Sequence, residues 1–123
     1  MQGSRKLRVW RHPASGDEGL IYFCPGCESH HSIKTKGNGA WGWNGDMERP
    51  VFTPSVLTTR PANPNASEEF KEWRTERRCH VFVGCNGAQP GQIIFLNDCT
   101  HSMAGKVVPL PDLPDWLLEE KNQ

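Results

Sequence analysis

Apolar and polar positions alternate along much of this chain, in short runs that turns interrupt. Residues 19–24 (GLIYFC) form a compact apolar run and read as a strand. The run feeds a tight turn, Cys24-Pro25-Gly26-Cys27. Residues 31–36 (HSIKTK) alternate and carry β-branched side chains, which predicts a second strand. Gly37-Asn38-Gly39 marks a turn, because Gly and Asn tolerate positive φ. Trp41-Gly42-Trp43 predicts a short extended piece that ends in the turn Asn44-Gly45-Asp46. Residues 51–59 (VFTPSVLTT) are rich in β-branched types, and Pro54 inside them calls for an edge strand or a bulge.

Residues 60–66 read as a loop. Residues 67–76 (SEEFKEWRTE) carry the strongest helix signal: Ser67 suits the N-cap, acids fill the first turn, and Arg74 suits the far end. Phe70 and Trp73 would share one helix face. Residues 78–83 and 92–96 read as paired strands across a turn-rich loop, and 106–110 as a last strand. Residues 115–121 predict a final helical turn after Pro109, Pro111 and Pro114. The expected fold is therefore mainly β, α+β at most: a compact zinc-stapled sheet or small sandwich with one or two short helices. Its parts would be an N-terminal arm (1–18), a β-rich domain (19–112) with a helical insertion near 61–77, and an acidic tail (113–123).

Composition sharpens this picture. Only 36% of the 123 residues are apolar, so one core is expected, and it is lean for the length. No apolar run approaches a membrane span, and no apolar segment follows Arg5, Lys6, Arg8 and Arg11 as a secretory signal would require. Fourteen basic and 14 acidic residues cancel, which excludes a whole-protein basic field. Five cysteines cannot all pair within the chain. These features point to a reducing cytoplasm, where clustered Cys and His bind metal more often than they bridge.

The Cys and His residues have ligand spacing. Cys24 and Cys27 can grip one tetrahedral ion, and Gly26 eases the tight backbone between them. A zinc ion needs further ligands. Cys99 and His101 point to one side of an extended segment and are the first choice. Cys79, His80 and His31 are the alternates, although Cys79 and His80 point to opposite sides of a strand. Cys85 reads as a free thiol.

Other residues admit chemical and plain readings. Asp98, Asp46 and His80 are the candidates for proton transfer if the protein is an enzyme. Asp46 otherwise belongs to a plain turn, and Trp41 and Trp43 otherwise fill the core. Lys71, Arg74, Arg77 and Arg78 interleave with acids and read as a salt-bridged face. No nucleophile elbow, phosphate-binding Gly motif or H-E-x-x-H occurs.

Several motifs stand in a recognisable order: CPGC with His31, W-x-W-N-G-D (Trp41 to Asp46), F-T-P-S (Phe52 to Ser55), Cys79-His80-x-Phe82, F-L-x-D-C-T-H (Phe95 to His101) and A-G-x-V-V-x-L-P (Ala104 to Pro111). Over residues 20–112 the chain resembles a family of small phage and prophage proteins of unknown function, often labelled ammonia monooxygenase. That label implies a membrane-embedded copper enzyme, which fits neither the missing span nor the thiol-rich set. The resemblance implies a phage-encoded metal-binding protein. The expected function is a zinc-stabilised binding module acting through a host or phage protein. The alternatives are a zinc-dependent hydrolase and a nucleic-acid-binding protein.

Overall fold

The computed structural model describes residues 5–118. Two antiparallel sheets carry the fold. The first orders β1 (Arg8–Arg11), β2 (Glu18–Cys24) and β3 (Ser29–Lys36) side by side. The second is a five-stranded meander of β4 (Gly42–Trp43), β5 (Phe52–Arg60), β6 (Arg77–Val83), β7 (Gln92–Phe95) and β8 (Val107–Pro109). A short helix α1 (Asp115–Leu118) ends the described chain. The mainly β expectation holds, with two short helical pieces.

Alternation builds one core between the sheets. Leu20, Tyr22 and Cys24 of β2 and Ile33 of β3 point inward and meet Phe52 and Val56 of β5. Cys79, Val81 and Val83 of β6 and Ile93 and Phe95 of β7 complete the cluster. The rings of Tyr22 and Phe52 face each other across the sheets at 6.2 Å. Each large side chain so buried contributes about 1.5–3 kcal/mol.

The N-terminal arm adds a strand to the first sheet and ties down the C-terminal segment. Leu113 N–H donates to Arg5 O at 2.7 Å, Lys6 Nζ donates to Leu110 O at 2.7 Å, and Arg8 Nη1 donates to Leu117 O at 2.7 Å. Arg5 and Lys6 also pair with Asp112. These N-terminal cations are thus engaged with the chain's own acidic end.

The segment expected as an α-helix is a 3-10 helix, Glu68–Arg74, kinked at Phe70, and Ser67 makes no side-chain cap. It buries no residue. Phe70 and Trp73 stay about half exposed and stack on each other at 6.1 Å. Without an apolar face to bury, so short a segment gains little from completing α-helical turns.

Pro54 lies in a bulge, and it does so in an interior strand. Phe52 pairs with Val83 and Val56 with Val81, so Thr53, Pro54 and Ser55 on β5 oppose Phe82 alone on β6. Such a bulge re-aims the side chains it contains.

β2 carries a testable constraint at Gly19. A Cβ there would run into the Ile33 carbonyl of the paired strand and the Trp10 ring. Gly19→Ala is expected to cost about 1–3 kcal/mol. Thermal unfolding followed by circular dichroism checks this, and an unchanged midpoint would refute it.

Candidate active site and metal centre

Neighbouring residues of β6 serve the two faces of the second sheet. Cys79 is buried against the core, whereas His80 faces outward and is partly exposed. A strand alternates in this way because successive side chains project to opposite sides.

On the outer face, His80 joins two other side chains. Its Nε2 lies 3.0 Å from Ser55 Oγ, and its Nδ1 lies 3.2 Å from Asp98 Oδ2. An ionised carboxylate only accepts, so Nδ1 carries the proton it donates to Asp98. Nε2 of the neutral ring is then free to accept from the Ser55 hydroxyl. This is the order of a nucleophile, a base and an orienting acid. The His80 side chain is 26% exposed and that of Asp98 45%, so the constellation opens to solvent.

Each member is held from behind. Ser55 lies in the β5 bulge, and its carbonyl accepts a hydrogen bond from Trp41 Nε1 at 3.1 Å. The His80 backbone is bracketed by one thiol: His80 N–H donates to Cys99 Sγ at 3.3 Å, and Cys99 S–H donates to His80 O at 3.3 Å. Leu96 N–H also donates to His80 O, at 2.9 Å, so the loop carrying Asp98 runs alongside β6.

On the inner side, donor atoms of Cys24, Cys27, His31 and Cys79 all lie within 4.8 Å of one another. Sγ of Cys24 and Cys79 stand 3.7 Å apart, and both cysteines are free. A tetrahedral ion bound at about 2.3 Å by thiolates sets its sulfurs about 3.8 Å apart. His31 Nε2 is buried with no hydrogen-bond partner, so a bound ion would satisfy it. Cys27 N–H donates to Cys24 Sγ at 3.4 Å within the turn, and Glu28 closes it at φ 56°. The donor set fits a metal ion.

A second group, Cys79, Cys99 and His101, shares Cys79 with the first. Hydrogen bonds separate its roles. His101 Nδ1 accepts from Met103 N–H at 3.2 Å, which leaves the ring proton on Nε2. Nε2–H therefore donates to Cys79 Sγ, at 3.3 Å. The His101 ring packs on Gly26 so closely that a Cβ there would overlap it. Cys99, already bonded to both backbone groups of His80, remains a thiol, and burial pushes it up further.

Charges in the cysteine group are coupled. Hydrogen bonds from Cys24 and Cys79 hold the Cys27 thiol far below the usual range, and Cys79 is raised by the same contacts and by burial. Burial alone would lower His31, but the neighbouring sulfurs of Cys24 and Cys27 favour its protonated form and raise it to about 9.

The residues singled out from sequence distribute as follows. Cys24 and Cys27 fall in the first group with the alternates His31 and Cys79, whereas Cys99 and His101 fall in the second. His80 belongs to neither and faces Asp98 on the other side of the sheet. Asp46 Oδ1 accepts from the backbone of Glu48 and Arg49, which lowers its pKa and builds a turn away from this constellation. Ser55 was missed, because a bulged strand carries no elbow motif. Its signal was F-T-P-S, with a proline where a strand should be regular.

The profile of a family described as the serine protease of a bacterial ubiquitination-like system, BubE, matches residues 3–90. The chain belongs to the BubE family. The match overturns the expected phage and prophage kinship, and with it the phage-borne binding module. The motifs that suggested that kinship hold Ser55, His80 and Asp98, of which the sequence offered His80 and Asp98 as proton-transfer candidates and not Ser55. Ser55 and His80 lie inside the range matched by BubE, and Asp98 just beyond it. No curated protein and no solved structure matches. Among the described residues no helix is long and apolar enough to cross a membrane.

The His101–Gly26 contact yields a prediction. Gly26→Ala should displace the ring from Cys79 and cost about 1–3 kcal/mol. Denaturant unfolding measures it, and wild-type stability would refute the contact.

Proposed function

We propose that this BubE-family chain is a serine hydrolase that cleaves amide bonds within a bacterial ubiquitination-like system. One observation carries the reading: Ser55 Oγ, His80 Nε2, His80 Nδ1 and Asp98 Oδ2 form an unbroken hydrogen-bonded chain. The family description supports it. Of the readings taken from sequence, the hydrolase alternative stands nearer to the family than the binding module does. Its nucleophile is a serine, and the metal lies on the other side of the sheet.

In this mechanism Ser55 Oγ attacks the carbonyl carbon while His80 Nε2 takes its proton. Asp98 steadies the imidazolium through Nδ1–H. Return of the proton to the departing amine leaves an acyl group on Ser55. His80 then activates water to release that group.

The second part of the proposal is that Cys24, Cys27, Cys79 and His31 bind zinc as a closed structural site. Three soft thiolates and one imidazole suit this ion, and four protein donors leave no coordination position for water. The site would tie the turn after β2 to β6.

Two predictions follow from these roles. Phosphonylation by a fluorophosphonate, with loss of fluoride and located by mass spectrometry, should modify Ser55. It should vanish in Ser55→Ala and fall by about 10²–10⁴ in Asp98→Asn. Labelling elsewhere, or labelling that ignores Asp98, would defeat the serine mechanism. Zinc must displace the His31 proton, so affinity should climb as pH rises towards about 9. The metal-free chain should behave oppositely. A raised His31 gives stability fully present below about 6.5 and lost as pH passes about 9. The gain in melting temperature on adding zinc should therefore widen across this window. A constant gain would count against His31 as a ligand.

A further inference from the structure

Residues 98–101 touch the reaction centre and the cysteine group at once, and each makes a distinct bond to β6. Asp98 meets the His80 ring, and Cys99 brackets the His80 backbone. Thr100 zips onto Arg78: Thr100 N–H donates to Arg78 O at 2.9 Å, and Arg78 N–H donates to Thr100 Oγ1 at 3.0 Å. His101 ends the series with Nε2–H on Cys79 Sγ. The loop is thus fastened at one end to a residue of the cysteine group and delivers the orienting acid at the other.

We infer that residues 98–101 form a clamp through which the metal centre sets the position of His80, with His101 and Cys99 as positioning residues. The inference rests on the serine hydrolase reading and adds a physical dependence to it. A metal-bound Cys79 is a thiolate, and a charged acceptor strengthens the bond from His101. Gly26 holds the other face of the His101 ring, so the ring is wedged between the metal turn and the strand. The Asp98 side chain is 45% exposed, and among the described residues its hydrogen-bond partner is His80. Its direction is therefore governed by the loop beneath it. Reacting groups must be held to within about 0.5 Å, a tolerance that a loop meets only when its own support is fixed.

The test uses zinc-loaded full-length protein and three readouts: zinc content, the rate of fluorophosphonate labelling at Ser55, and the proton resonance of His80 Nδ1–H. His101→Ala should keep its zinc, be labelled at Ser55 about 10- to 100-fold more slowly, and broaden the His80 resonance. His101→Gln, which retains a donor N–H, should recover much of the rate. Cys99→Ala should lose rate in the same way, and it carries the test if His101→Ala does not fold.

A His101→Ala protein with full zinc and wild-type labelling at Ser55 overturns the clamp. So does one that loses zinc while His31→Ala keeps it, because His101 would then be a ligand. If the wild-type protein is never labelled at Ser55, the hydrolase reading fails separately. The clamp is then judged on the His80 resonance, which must still respond to His101→Ala.

Discussion

Everything of chemical interest in this protein depends on the alternation of side chains along β6. Cys79 goes into the core and His80 goes out, so one strand belongs to two centres only one residue apart. The constraint is strict, because slipping the strand by one residue would exchange the two faces and destroy both. Burial fixes the register: Cys79, Val81 and Val83 lie on the inner face, Val81 and Val83 paired with β5 and β7 on either side and Cys79 with β5. The hydrophobic core thereby also selects which side chains can react.

The proposed reaction centre is assembled from long-range parts. Ser55 comes from a bulge, His80 from a regular strand and Asp98 from a loop. The bulge supplies what a regular strand lacks, an extra length of backbone that brings Ser55 to His80. Trp41, which the sequence suggested as core filling, is partly buried and also holds the Ser55 carbonyl. The loop after β7 is irregular, yet its backbone bonds to Arg78 and His80 as another strand would.

Much of the fold was legible because it rests on local patterns. The apolar run 19–24, the alternating run around His31 and the paired runs 78–83 and 92–96 all lie within observed strands or differ from them by a residue or two. The 3-10 segment departed from expectation because its polar composition allows a helix and its tertiary surroundings do not reward one. For the site, types and spacing brought out the Cys and His residues that cluster and could hold a metal ion, and the opposite pointing of Cys79 and His80 followed from strand geometry. Which donors meet was not legible. Cys99 and His101 are as well spaced as His31 and Cys79, and only hydrogen bonds to His80 and Met103 separate them. Ser55 was invisible for a related reason: its partner lies 25 residues away on the next strand.

The bracketing of His80 by Cys99 has a consequence for how such a protein is diagnosed. Under the serine mechanism proposed above, thiols flank the Ser55–His80–Asp98 chain without belonging to it. A reagent that alkylates Cys99 would push the His80 backbone aside, and one that reaches Cys27 would unpick the inner group. On that mechanism either would abolish turnover while Ser55 stayed chemically intact. Loss of activity on thiol modification would then be no mark of a cysteine nucleophile, and an inhibitor profile read by the usual protease classes would point to the wrong residue.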